Sequence, residues 1–136
     1  MAVFKNTTLK TEDLIAFLKQ WMESDNTTLV AIGCLLKENT MIRWDFEAIK
    51  QEFPLQPWDP QRRGKWFKHD KMLLEKKQHI CGYAKVGGRF VLDMERSDGL
   101  LASVCCDSTQ FHLMVWHERF QLLPEHVRHL EPNNTT

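Results

Sequence analysis

The chain has 136 residues, of which 43% are hydrophobic and 26% charged, and its 18 basic side chains balance 18 acidic ones. That length holds one domain with a core (1–136) and is too short for two ordinary ones, and the composition excludes a disordered chain. Zero net charge excludes a protein that coats nucleic acid through its overall field, so any such binding needs a local patch.

The opening residues, MAVFKNTTLK, contain no apolar run of signal-peptide length. Nothing approaches the roughly 18 consecutive apolar residues of a membrane span. These features predict a cytoplasmic protein with no membrane contact. Three Asn-Thr-Thr triplets, starting at Asn6, Asn26 and Asn134, are then coincidental matches to a glycosylation pattern. Cys34, Cys81, Cys105 and Cys106 lack C-x-x-C spacing. They read as reduced structural thiols, with Cys105 and Cys106 on opposite faces of a strand.

Thr11, followed by Glu12 and Asp13, marks a helix start. Leu14, Ile15, Leu18, Trp21 and Met22 then predict an amphipathic helix over about 11–24. Leu29–Leu36 is almost continuously apolar. Leu29, Ile32, Leu35 and Leu36 share a helical face, so a buried helix is favoured there over a strand. Met41–Trp44 is β-prone, and Asp45 reads as the N-cap of a helix over Phe46–Phe53. Pro54, Pro57 and Pro60 then impose an irregular connection.

The stretch Trp58–Gln78 dominates the charge pattern. Its residues 62–78 hold seven basic side chains against Asp70 and Glu75. Residues 1–61 carry six basic and nine acidic side chains, and residues 79–136 carry five and seven. A helix from about Gln61 to Lys77 is expected here, with Trp66, Met72 and Leu73 buried and Arg62, Arg63 and the lysines solvated. Trp58, Arg62, Arg63, Lys65, Lys68, Lys71 and Lys76 are the candidate nucleic-acid contacts. Cations grip phosphate, and an aromatic ring adds about 1–3 kcal/mol per stacked base. Trp21, Trp44 and Trp116 fall at apolar positions and read as core.

Beyond residue 78 the period changes from helix to strand. His79–Val86 and Arg89–Glu95 flank Gly87-Gly88, a hairpin signal. In that register Cys81, Tyr83 and Lys85 oppose Met94, Leu92 and Phe90. Turns at Ser97-Asp98-Gly99 and Asp107-Ser108-Thr109 lead to strands over Leu100–Cys106 and Phe111–His117, completing a four-stranded antiparallel meander. Pro124 opens a short helix over Glu125–Leu130. Leu14, Leu18, Trp21, Phe90, Leu92 and Met94 are expected in one core.

The fold class that follows is α+β, a helical N-terminal half packed on a C-terminal antiparallel β-meander. The order helix, short strand, helix, basic helix, Gly-Gly hairpin over 28–95 resembles a winged helix-turn-helix. That resemblance implies a recognition helix at 61–77 and a wing at 79–95, with DNA or RNA as the partner.

Other chemistry is weakly signalled. His79, Cys81, Cys105, Cys106, His112 and His117 would hold zinc only if neighbouring strands brought four of them together. His79-x-Cys81 offers two donors on one strand face, His112 and His117 point to opposite faces, and core thiols and surface imidazoles are the favoured reading. Asp93, Glu95 and Asp98 cluster near a strand end without the lysine that metal-dependent nucleases use, and read as exposed acids on the solvent face of a hairpin. No phosphate loop, nucleophile elbow or HExxH occurs. No cofactor is called for, and no catalytic constellation is found. The expected function is a small regulatory nucleic-acid-binding domain. The alternative is a protein-binding inhibitor or adaptor that uses exposed aromatics and a sheet edge.

Overall fold

The computed structural model describes residues 2–64, 67–69, 79–81, 85–86 and 89–120, with backbone alone at 2–3 and within 67–90. In chain order the elements are β1 (Ala2–Thr7), α1 (Thr11–Glu23), β2 (Ala31–Leu36), α2 (Phe46–Glu52) and β3 (Gln56–Pro57). Then come β4 (Phe67–His69), β5 (His79–Cys81), β6 (Lys85–Val86), β7 (Arg89–Glu95), β8 (Leu101–Cys106) and β9 (Gln110–Trp116).

A mixed sheet runs β1-β2-β9-β8-β7-β3, with β6 also on β7, and β4 pairs with β5 separately. The fold is mixed α+β. It is not a helical half on a β half, because β1, β2 and β3 come from the N-terminal half and join the same sheet.

The meander is present in part: β7, β8 and β9 pair in order, and of the expected first strand over His79–Val86 only Lys85–Val86 joins β7 among the described residues. Lys85 pairs with Phe90, Met94 with Ala102 and Leu101 with Trp116, all antiparallel. The register of Lys85 against Phe90 is the expected one, whereas Cys81 pairs with Phe67 instead of Met94. Gly87-Gly88 and Glu125–Leu130 lie outside the described residues.

Three local expectations are corrected. Leu29–Leu36 contributes strand β2, parallel to β1 and antiparallel to β9. Its residues pack into both buried clusters, Cys34 on the helix side and Ala31 on the opposite side, so the strand is apolar on both faces and mimics a buried helix. Met41–Trp44 is irregular; the Trp44 amide donates to the Ser108 carbonyl at 2.9 Å and its indole to Leu9 at 2.9 Å.

The third correction concerns 61–77, where no recognition helix forms among the described residues. Residues 60–63 make a turn, and 67–69 form strand β4. The winged-helix order therefore does not hold.

The two helices follow their caps. The Lys10 amide donates to Asp13 at 2.8 Å at the start of α1, so the N-cap is Lys10, one residue before the expected Thr11. Asp45 caps α2 as expected, accepting from the Glu47 amide at 3.0 Å. Leu14, Leu18 and Trp21 of α1 pack with Ile49 and Phe53 against Met94, Val104, Leu113 and Val115 of the sheet. Leu92 is half-buried and outside that cluster, and the Phe90 side chain lies outside the described residues. The opposite sheet face carries a second buried cluster, with Val91, Leu101, Cys105, Met114 and Trp116. Every residue of β8 is buried.

Candidate nucleic-acid interface

The basic stretch is entered through a turn. Asp59 accepts the Arg62 amide at 3.0 Å through its carbonyl and the Gln61 amide at 2.9 Å through its carboxylate. Such local capture by an aspartate next to Pro60 competes with helix propagation. Trp58 is half-buried, and its indole donates to the Arg63 carbonyl at 3.2 Å.

Arg63 was expected in water and is fully buried, on the sheet face opposite the helices. Its Nε donates to Asp93 Oδ2 at 2.7 Å and its Nη2 to Oδ1 at 3.2 Å. Ser103 Oγ donates to Asp93 Oδ1 at 2.6 Å, and Trp116 Nε1 donates to Ser103 Oγ at 2.8 Å. The guanidinium stacks over the Trp116 ring, 4.6 Å from its centroid. A carboxylate with two arginine donors and a hydroxyl donor has its lone pairs used, which is the condition for burying an ion pair without a large net penalty.

Asp93 is therefore structural, and not the exposed acid expected on the solvent face of a hairpin. The sequence held a signal for it. An aspartate inside the apolar strand Val91-Leu92-Asp93-Met94 requires a buried cation, because such a group is almost never fully buried unpaired.

Around this anchor lies a half-exposed layer. Glu95 accepts from Arg62 Nη2 at 3.3 Å and Arg119 Nη2 at 3.2 Å on one oxygen. The Arg62 hydrogen bond, then that of Arg119 and the charges of both, hold the Glu95 carboxyl below its ordinary range. Arg62 also donates to Gln56 Oε1, and the Gly64 amide donates to the Arg119 carbonyl at 2.6 Å.

Past Gly64, Phe67 pairs with Cys81, Lys68 with Ile80 and His69 with His79. Phe67–His69 and His79–Cys81 thus form a two-stranded ribbon, with Lys68 on one strand. The side chains of Lys65, Lys68, Lys71 and Lys76 lie outside the described residues. Among the candidate contacts, Trp58, Arg62 and Arg63 meet at the base of this ribbon.

The remaining candidates resolve simply. Trp21, Trp44 and Trp116 are core, as expected. Cys105 and Cys106 fall in different clusters on opposite faces of β8. Cys34 is buried, which pushes its thiol up to about 11. Among the described residues, no three His, Cys, Asp or Glu side chains are grouped to hold a metal, and no helix is long and apolar enough to cross a membrane. Comparison of the chain with protein-family models, with curated proteins and with solved structures finds no match in any of the three.

Proposed function

We propose that the protein is a small regulatory nucleic-acid-binding domain that presents its basic stretch as a ribbon fastened to the sheet, acting in a reducing cytoplasmic compartment. One observation carries the reading: β4 pairs with β5, so Phe67–His69 and His79–Cys81, which bracket much of the sequence 62–78 with its net charge of plus five, lie side by side a few residues after Arg63 of the Arg63–Asp93 anchor. A two-stranded ribbon fits the major groove of B-form DNA, and lysines along it meet phosphates on either side. Arg62, Lys65, Lys68, Lys71 and Lys76 make the phosphate contacts, and Trp58 offers a stacking face at the base. Arg63 acts through position, by holding the root of the ribbon. Burial of the Cys34, Cys105 and Cys106 thiols in the core is consistent with the reducing compartment.

Fluorescence anisotropy with duplex DNA and with RNA at two salt concentrations tests this reading. Affinity should fall steeply with salt, each phosphate contact adding about 0.7–0.9 to the logarithmic slope. A Lys68→Glu, Lys71→Glu, Lys76→Glu variant should lose most of the affinity. Absence of binding to either nucleic acid at low salt overturns the reading. A protein-binding adaptor is then the better account. What favours it is the edge strand β1, which pairs with β2 alone among the described residues and leaves Phe4 51% exposed. Such an edge accepts a strand from a partner.

A further inference from the structure

A cleft of about 370 Å³ lies where β1 and β2 end side by side, and Lys5, Asn6, Lys37, Glu38, Asn39 and Arg43 are among the residues lining it. Three features converge there. First, β1 and β2 are parallel neighbours, and the cleft opens at their carboxyl ends, where open sheets with parallel strands place their ligands. Second, the two non-glycine residues with positive φ among the described residues, Asn6 (55°) and Asn39 (63°), both line it. Asn6 sits at an irregularity in the β1–β2 register between Phe4 and Thr7. Bulges and left-handed residues of this kind re-aim neighbouring side chains, and they concentrate at binding sites. Third, Lys5, Lys37 and Arg43 are three cations facing one carboxylate, Glu38, and none of the three has an ion-pair partner among the described residues.

Arg43 is also held in place. Its Nη1 donates to the carbonyls of Thr40 at 2.9 Å and Ile42 at 2.6 Å, which fixes the guanidinium and leaves the rest of its donor fork for a ligand. The floor is closed by backbone bonds, from the Leu36 amide to the Thr109 carbonyl at 3.0 Å and from the Lys37 amide to Thr7 at 2.9 Å.

We propose that this cleft binds the phosphate group of a small phosphorylated molecule, with Arg43 as the bidentate donor and Lys5 and Lys37 as flanking charges. The volume suits a small ligand, not a polymer segment. Leu35 and Leu36 in the lining offer an apolar wall to its organic part. Glu38 leaves the site a net positive charge of two and accepts a hydroxyl from the same ligand. This site is independent of the basic ribbon, so either can fail without the other.

The test is a titration of the ¹⁵N-labelled full chain with inorganic phosphate and with ribose 5-phosphate, followed by amide shifts. Saturable shifts at Asn6, Lys37, Asn39 and Arg43 are expected, with ribose 5-phosphate binding more tightly than inorganic phosphate. Lys37→Gln should weaken binding by about tenfold, the loss of one charge-assisted contact, and Arg43→Gln by more, since it removes both bonds of the bidentate pair. Lys19→Gln, at a lysine paired with Glu52 outside the cleft, should leave it unchanged. All three side chains are exposed, so the variants keep the core intact. Shifts that do not saturate, that spread over the surface, or that persist unchanged in Arg43→Gln overturn the proposal.

Discussion

Arg63 and Asp93, 30 residues apart in sequence, meet as a doubly hydrogen-bonded pair with side-chain exposures of 0% and 1%. The pair ties the loop after β3 to three strands, since Asp93 lies on β7, its partner Ser103 on β8 and the stacked Trp116 on β9. Removing one member strands the other charge away from water. Asp93→Ala should therefore cost about 3–5 kcal/mol, read as a lowered urea midpoint. Replacing both with apolar residues of similar volume, Arg63→Met with Asp93→Leu, should recover much of that loss. A double variant no more stable than Asp93→Ala would show that the pair itself stabilises the fold.

Leu18 is fully buried between α1 and the sheet. Leu18→Ala should destabilise by about 2–5 kcal/mol in the same measurement. Leu92→Ala should cost less, because Leu92 is half-buried and lies outside the helix-side core.

Gly99 closes the β7–β8 turn at φ +91°, and a Cβ placed there meets no atom within 4 Å. The cost of Gly99→Ala is then backbone strain alone, about 1–2 kcal/mol. Gly99→Val should be worse through its branched side chain, with no steric clash required. Thermal melts of the two variants separate these effects.

Acid should weaken one surface tie. Hydrogen bonds from Arg96, then the Leu100 amide, hold the Asp98 carboxyl down at about 2, against 3.8 for the free group. A carboxyl lowered by folding adds stability that is complete above its unfolded value and fades as the pH falls through its folded one. The stability difference between wild type and Asp98→Asn should accordingly be constant near neutrality and shrink between pH 3.8 and about 2. Glu95, lowered by Arg62 and Arg119, shifts in the same direction. Denaturant midpoints across that range give the check.

The elements legible in the sequence are those whose period is set by one buried face. Leu14, Leu18 and Trp21 repeat at helical spacing because α1 lies on a sheet, and Asp45 marks α2 by its cap. The turns at Asp98-Gly99 and Asp107-Ser108 delimit β8 and β9. What escaped was decided by distant partners. β2 looks helical until β1 and β9 are placed beside it, and β1 itself, AVFKNT, is too short and mixed to announce a strand. The basic stretch was legible as charge and not as shape, because Arg63 is claimed by an aspartate 30 residues onward. Arg96 is a second case. It is buried over the Trp21 ring at 4.7 Å from its centroid and paired with Asp98 at 2.7 Å, although charge alone places it outside.

β8 gives Ala102, Val104 and Cys106 to the core beneath the helices and Leu101 and Cys105 to the core on the other face. The strand is a party wall between two rooms: taking it out brings both down. Neither layer has an interior of its own to keep once this wall is lost, so the described fold should melt in a single step rather than shed one layer at a time. A cut at the β7–β8 turn would for the same reason leave two fragments that each need the other to fold.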